Sequence, residues 1–343
     1  MTERSGPSTI VDVAAAAGVS VATVSRALRG LDRVSPATRE RIRKVAEELH
    51  YVASPTATSL ASGQTQIIGV VVPFPSRWYF AGIVSSIGKA LRARGYQVLL
   101  FDLERDVFDA RLTLTRSMLW KRVDGVISIN IPMTEDELDL LGGLHVPIIS
   151  VGYRLPGRAS VGIDDAAAAR TATEHIVELG HRDIAFIGAG MAGAALIQTP
   201  MSRADGFRTV LREHGIPVRE DWVLRTDWTA EHSRELALGL LADPEQRPTA
   251  FVCGSDEIAF GVHMAAREHD LRIPHDVSII GIDDHYLAGV FALTTVRQDL
   301  TAQGEAAVTQ LLAELAPNGT TARDEQVVLP TELIVRSSTA PPP

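Results

Sequence analysis

A single cysteine, Cys253, is all the thiol the chain carries, so no internal disulfide can form and a reducing compartment fits. The opening residues, MTERSGPST, lack the apolar stretch of a secretory signal, and no apolar run reaches membrane-spanning length. These absences predict a cytoplasmic protein with no membrane partner. No histidine cluster accompanies the acidic pairs Asp164–Asp165 and Asp283–Asp284, so no metal is expected there. Such pairs at strand ends read instead as helix caps or ligand hydrogen-bonders. Cys253 has no His–Asp partnership at a recognisable spacing, which argues against a nucleophile.

What is present is ordinary for a water-soluble fold. The 343 residues are 45% apolar and 22% charged, long enough for two or three domains with sizeable cores. The net charge of −9 is unevenly placed. Residues 1–62 hold eight basic and six acidic side chains, leaving 25 basic and 36 acidic ones to the remainder. A basic head on an acidic body suits a polyanion bound at one end.

That head contains IVDVAAAAGVSVATVSRALRGLDRVS, residues 10–35. Val13, Ala14 and Ala17 recur at helical spacing, and Gly18 can end the helix at positive φ. Ser20 can cap a second helix, about 21–28, with Val24 and Leu28 on its inner face. Val21, Ala22, Ser25 and Arg26 then point outward. Pro36 starts a third helix, 36–49, whose Ile42, Val45 and Leu49 close a three-helix core. The pattern predicts a helix-turn-helix whose second helix enters a major groove of double-stranded DNA. Arg26 can read guanine by a two-pronged bond, while Ser20, Thr23 and Ser25 reach phosphates or bases at shorter range.

From Ile67 the pattern alternates apolar strands with helices. Strands are expected at 67–72, 96–103, 123–129 and 146–152, with helices at 82–94 and 109–121. After Asp165 a second set follows: a helix at 166–179 and strands at 183–189, 223–228, 249–255 and 276–283. Apolar strands of this kind belong to parallel sheets with crossover helices, here in two α/β lobes with a ligand between their strand ends. IGAGMAG, 187–193, fits G-x-G-x-x-G. The carboxylate a dinucleotide requires is missing, because Glu213 falls in a helical stretch. A glycine-rich turn is therefore expected, with no cofactor and no enzyme activity.

TIVDVAAAAGVSVATVSRAL followed by VSPATRERIRKVAEELHYV resembles the DNA-binding headpiece of the lactose-repressor (LacI) family, and the likeness runs through roughly residues 9–336. It implies an α/β fold: a three-helix headpiece at 1–52, a hinge helix at 53–64 and a two-lobed periplasmic-binding-protein-like core at 65–343. The first lobe would span about 65–160 and 294–324, the second about 161–293 and 325–338. By resemblance Val21 and Ala22 are specificity positions, here reading thymine methyl groups or shape. Leu60 is the minor-groove wedge on a hinge face shared with Ala57. Thr9, Arg33, Thr38 and Tyr51 complete the expected DNA contacts.

A sugar site needs planar groups and paired hydrogen-bonders, and the strand-end loops offer Trp78, Tyr79, Phe80, Asn130, Arg203, Trp228, Asp256, Asp283 and Gln298. Of these, Arg203, Trp228, Asp283 and Gln298 match effector positions of the family. Packing for the aromatics, and a structural ion pair for Arg203 with Asp283, are the alternatives. Gly152 stands where some relatives carry aspartate. The function implied is a homodimeric repressor of carbohydrate genes, released by a small sugar. A co-repressor, a phosphocarrier partner and a sugar-transport protein stay open. SSTAPPP at 337–343 has no heptads, so a dimer rather than a tetramer is expected.

Overall fold

The computed structural model describes residues 8–28, 32–52, 63–103, 113–190, 198–316, 319 and 324–343, which form two compact units divided after Thr65. In the first unit, α1 (Ile10–Ala17) and α2 (Val21–Leu28) flank Gly18, which ends α1 at φ +64°. α3 (Pro36–Glu48) begins with Pro36 after the Ser35 cap and stops one residue short of the expected Leu49. Val13, Ala14, Ala17, Val24, Ala27, Ile42 and Ala46 fill the core. Ala27 rather than Leu28 takes the inner position: Val24 and Ala27, three residues apart, share the inward face of α2, and Leu28 falls at its edge. Leu28, Val45 and Leu49 pack around the rim. The expected hinge helix lies outside the described residues.

The second unit contains two six-stranded sheets. In the first, β1 (Ile67–Val72), β2 (Gln97–Asp102), β3 (Gly125–Ile129), β4 (Ile148–Val151), β5 (Ser160–Ile163) and β11 (Gln326–Leu329) lie in the order β11-β5-β4-β3-β1-β2. In the second, β6 (Ile184–Ile187), β7 (Val223–Leu224), β8 (Ala250–Cys253), β9 (Ser278–Asp283), β10 (Thr294–Gln298) and β12 (Thr331–Ile334) lie in the order β12-β10-β9-β8-β6-β7. All pairings are parallel except β10 with β12. Helices α4 (Trp78–Arg92), α5 (Arg116–Leu119) and α6 (Glu135–Gly143) belong to the first lobe. α7 (Asp165–Glu178), α8 (Gln198–Glu213), α9 (Ala230–Leu241) and α10 (Asp256–Glu268) belong to the second. α11 (Leu300–Leu315) returns to pack on α4, β3 and β4. No single described helix is long and apolar enough to cross a membrane.

The layout departs from the expected one at several places. β10 belongs to the second lobe, because it pairs with β9, and the chain crosses back only at Asp299, which caps α11. β11 belongs to the first lobe, because it pairs with β5. Pro330, which has no N–H to extend a ladder, marks the final crossing to β12. The strand expected at 223–228 is only two residues long, and the helix expected at 109–121 is only α5 within the described residues. Residues 78–80, expected in a loop, form the first turn of α4.

Candidate DNA-reading helix and effector cleft

The helix expected to read the major groove is α2 (Val21–Leu28). Its Val24 and Ala27 are buried, while Val21, Ala22 and Arg26 are exposed and Thr23 and Ser25 half-exposed. One face is therefore committed to the core and the other is free for base edges. At its start the Thr23 N–H donates to Ser20 Oγ at 3.2 Å, and the two hydroxyls share a 2.8 Å bond. Thr9 closes a capping box: its hydroxyl donates to Asp12 at 2.7 Å and receives the Asp12 N–H at 3.4 Å. In α3 the cap is Ser35, whose Oγ accepts the Thr38 N–H at 3.2 Å while the two hydroxyls share a 2.8 Å bond. Thr9 and Thr38 thus stand where helix starts expose N–H groups, the geometry that meets phosphates. Arg33 is exposed at φ +71°, and Tyr51 packs half-buried against the three-helix core. Ala57 and Leu60 lie outside the described residues.

The core unit gathers a second set of polar side chains where its lobes meet. Arg203 on α8 is 4% exposed, and its guanidinium is engaged locally. Nε donates to Asp165 Oδ1 at 2.8 Å, and Nη1 donates to the Gly254 carbonyl at 2.5 Å. Asp283 Oδ1 lies 3.8 Å from Nη1 and accepts from Gln298 Nε2 at 2.6 Å. Gln303 Nε2 donates to Gln298 Oε1 at 2.8 Å, and the Tyr79 hydroxyl meets Gln303 Oε1 at 3.5 Å. Thr199 donates to Asp165 Oδ2 at 3.0 Å and reaches Asn130 Oδ1 at 3.4 Å, so both lobes feed one network.

Electrostatics follow from that crowding. Burial pushes Asp283 up to about 8, against the opposing pull of Arg203, with Asp256 adding to the rise. Burial also raises the Tyr79 phenol, and Asp165 beside it works the same way. For Arg203 burial disfavours the charge, but Asp165 and Asp283 outweigh it and hold the guanidinium above its usual range. Trp228 sits 5.7 Å from the Arg203 guanidinium at φ +68°. Its buried indole N–H finds no partner among the described residues.

Tyr79, Asn130, Arg203, Trp228, Asp283 and Gln298 are thus brought together. The others stand apart in role. Asp256 is fully buried, accepting from Thr295 Oγ1 at 2.6 Å and from the His285 N–H at 2.7 Å, and burial pushes it up to about 7. Its carboxylate ties β10 to the segment after β9. Trp78 packs on the His285 ring at 4.7 Å, and Phe80 packs against Phe74 and Tyr79. The pairing alternative for Arg203 is realised mainly with Asp165, a residue treated only as a cap or hydrogen-bonder from the sequence. Asp164 does cap α7, receiving the Ala167 N–H at 2.9 Å. Thr199 and Gln303 had no sequence signal at all. At Gly152, φ +80°, an added Cβ would sit 2.9 Å from Asn130 Oδ1 and 3.2 Å from the Tyr79 hydroxyl, so these side chains fill the space a larger residue would need.

A helix-turn-helix unit joined to a two-lobed parallel-sheet core defines a DNA-binding regulator of transcription. Residues 9–54 match bacterial regulatory proteins of the lacI family, and residues 173–339 match the periplasmic binding protein-like domain. The chain is 32% identical over 341 residues to catabolite control protein A of Priestia megaterium, covering 96% of this chain and 99% of that one. It is 32% identical over 340 residues to the HTH-type transcriptional repressor PurR of Glaesserella parasuis, covering 96% and 98%. The lac repressor dimer bound to operator and the anti-inducer ONPF superposes with a TM-score of 0.84 at 27% identity, over 98% of this chain and 100% of that one. A complex of the transcriptional regulator CelR with cellobiose matches at 0.68 and 29% identity, over 96% and 99%. The chain belongs to the lacI family of bacterial regulatory proteins, whose members are regulators and not enzymes.

Proposed function

We propose that the protein is a cytoplasmic, homodimeric repressor of carbohydrate genes that leaves its operator when a small sugar binds between its core lobes. The observation that carries the effector half is the network from Asn130 and Tyr79 on one lobe to Arg203 and Asp283 on the other. A ligand that inserts there changes contacts made by both lobes at once, which is the differential interaction a conformational shift requires. Paired donors and acceptors beside the Trp228 ring suit sugar hydroxyls and an apolar sugar face. The CelR–cellobiose complex, and a lacI-family regulator of Enterococcus faecium with bound ribose, support the sugar class.

Dimerisation is supported by exposed apolar side chains beside α10. Tyr286 is 72% exposed, Val290 78% and Met264 48%, around the ring cluster of Phe260, His285 and Phe291. Two headpieces on two half-sites also give the register that one lacks. The test is fluorescence anisotropy of the full chain on an operator selected from random duplexes, at one fixed salt concentration. Mono- and disaccharides are titrated into the complex. Release by one sugar is the expected result; tighter DNA binding with sugar would replace the inducer with a co-repressor.

A further inference from the structure

The base of the first lobe carries cations that the fold leaves without carboxylates. α4 runs against the parallel strands, so Arg92 and Arg94 at its end lie at the N-terminal edge of the first sheet. Lys121 and Arg122 reach the same edge just before β3. Gln66 stands between the two pairs: its carbonyl accepts the Gln97 N–H at 2.9 Å, and its own N–H donates to Asp124 Oδ2 at 2.7 Å. Neighbouring strands lie about 4.8 Å apart, so the loops before β2 and β3 flank the start of β1 within about 10 Å.

These four side chains are exposed, and so is Arg116. Arg94 donates Nη1 to the Ala90 carbonyl at 3.1 Å, but among the described residues none of the five makes an ion pair. Elsewhere in the acidic core, solvent-facing arginines such as Arg170, Arg208 and Arg272 are paired with Glu213, Glu220 and Asp276. The carboxylates of this edge lie apart from the cations: Asp124 holds Gln66, and Asp324 and Glu325 precede β11, three strands from β3. Lys121 stands at φ +57°, where glycine would fit more readily. Its Nζ lies 4.9 Å from the Trp120 ring and the Arg116 guanidinium 5.6 Å from it. That ring is 53% exposed, so both cations are held at the surface.

We infer that this edge is a second DNA contact, which binds backbone phosphates of the duplex held by the helix-turn-helix without reading sequence. Residues 53–65 join the edge to the DNA-reading unit and span at most about 45 Å when fully extended. A bound duplex is thus a polyanion that the chain itself keeps within reach of these side chains. Lysine and arginine that neutralise phosphates release condensed counterions, and that gain does not depend on the base sequence. The role belongs to DNA binding alone and holds whatever the effector is.

The test compares the full chain with the triple variant Arg94→Gln/Lys121→Gln/Arg122→Gln, on operator and scrambled duplexes, between about 50 and 200 mM salt. The expected result is a slope of log affinity against log salt that is shallower by about two to three, with affinity falling by a similar factor on both duplexes. An unchanged slope would overturn the inference. So would a loss confined to the operator, which would place these cations in sequence reading. If the triple variant does not fold, Lys121→Cys answers the question. The natural Cys253 is buried, so a thiol-directed photo-crosslinker labels position 121 alone. Crosslinking to DNA in the operator complex is expected, and its absence overturns the second contact.

Discussion

Arg26 and Arg203 use the same side chain for opposite ends. Arg26 is exposed on α2, while Arg203 is 4% exposed and bound on three sides. The expected outcome of Arg26→Ala is a loss of about 1–3 kcal/mol of discrimination between operator and scrambled duplex, as a lost two-pronged base contact would give. Circular dichroism should be unchanged, because the side chain supports no core residue. Equal affinity for both duplexes in the parent protein would remove the role. Asp256 makes a pH prediction. Its carboxyl is raised to about 7 by burial, and Asp283 to about 8, so the folded chain holds protons that the unfolded chain releases above the ordinary carboxylate range. Their contribution is complete at low pH and is lost as pH rises through about 7 and 8. Asp256→Asn keeps both bonds if the Thr295 hydroxyl turns to accept. The expected result is a melting temperature that falls less steeply between about pH 5 and 8 than in the parent, measured by calorimetry.

At the scale of elements, the helix-turn-helix was legible because its signals are local. Gly18, Ser20, Ser35 and Pro36 each act within a few residues of the turn they make. The ion pair of Asp165 with Arg203 spans 38 positions and depends on how α7 meets α8, which no local pattern encodes. Similarly, nothing local in TTVRQ (β10) or QVVL (β11) says which sheet each strand joins; the crossings at Asp299 and Pro330 decide that. Gly188, directly after β6, finds its reason in packing. Gly188 sits at φ +126°, and an added Cβ would lie 2.9 Å from Gly254 Cα on the neighbouring strand end. Gly188→Ala is expected to cost roughly 1–3 kcal/mol of stability through strain and displacement of Gly254. Denaturant unfolding of the core measures it, and an unchanged midpoint would show that β6 and β8 part without penalty.

For the whole molecule, an effector that releases the operator would have to act on the same equilibrium as the DNA. If a sugar weakens operator binding by some factor, operator DNA must weaken sugar binding by that same factor. Calorimetry of the sugar with and without saturating operator checks this, and unequal factors would mean that a further state takes part. Arg77 bridges the lobes through the Asp227 carbonyl, so Arg77→Ala should loosen the closed arrangement. Faster amide exchange around residues 74–78 and 225–229, with the remainder unchanged, is the expected signature. Tyr286→Asp together with Val290→Asp should halve the mass seen by sedimentation if the exposed apolar surface joins two copies.

The interleaving of the sheets also sets an order of events during synthesis. β11 completes the first sheet and β12 the second, and both follow every other described strand along the chain. Neither lobe can close its edge early, although most of its strands have long since left the ribosome. The three-helix head waits for no later segment, because all of its buried apolar residues lie before position 47. Each nascent chain therefore passes through a stage with a finished DNA-reading head and an unfinished sensor, when edge strands β5 and β10 are open to mispairing.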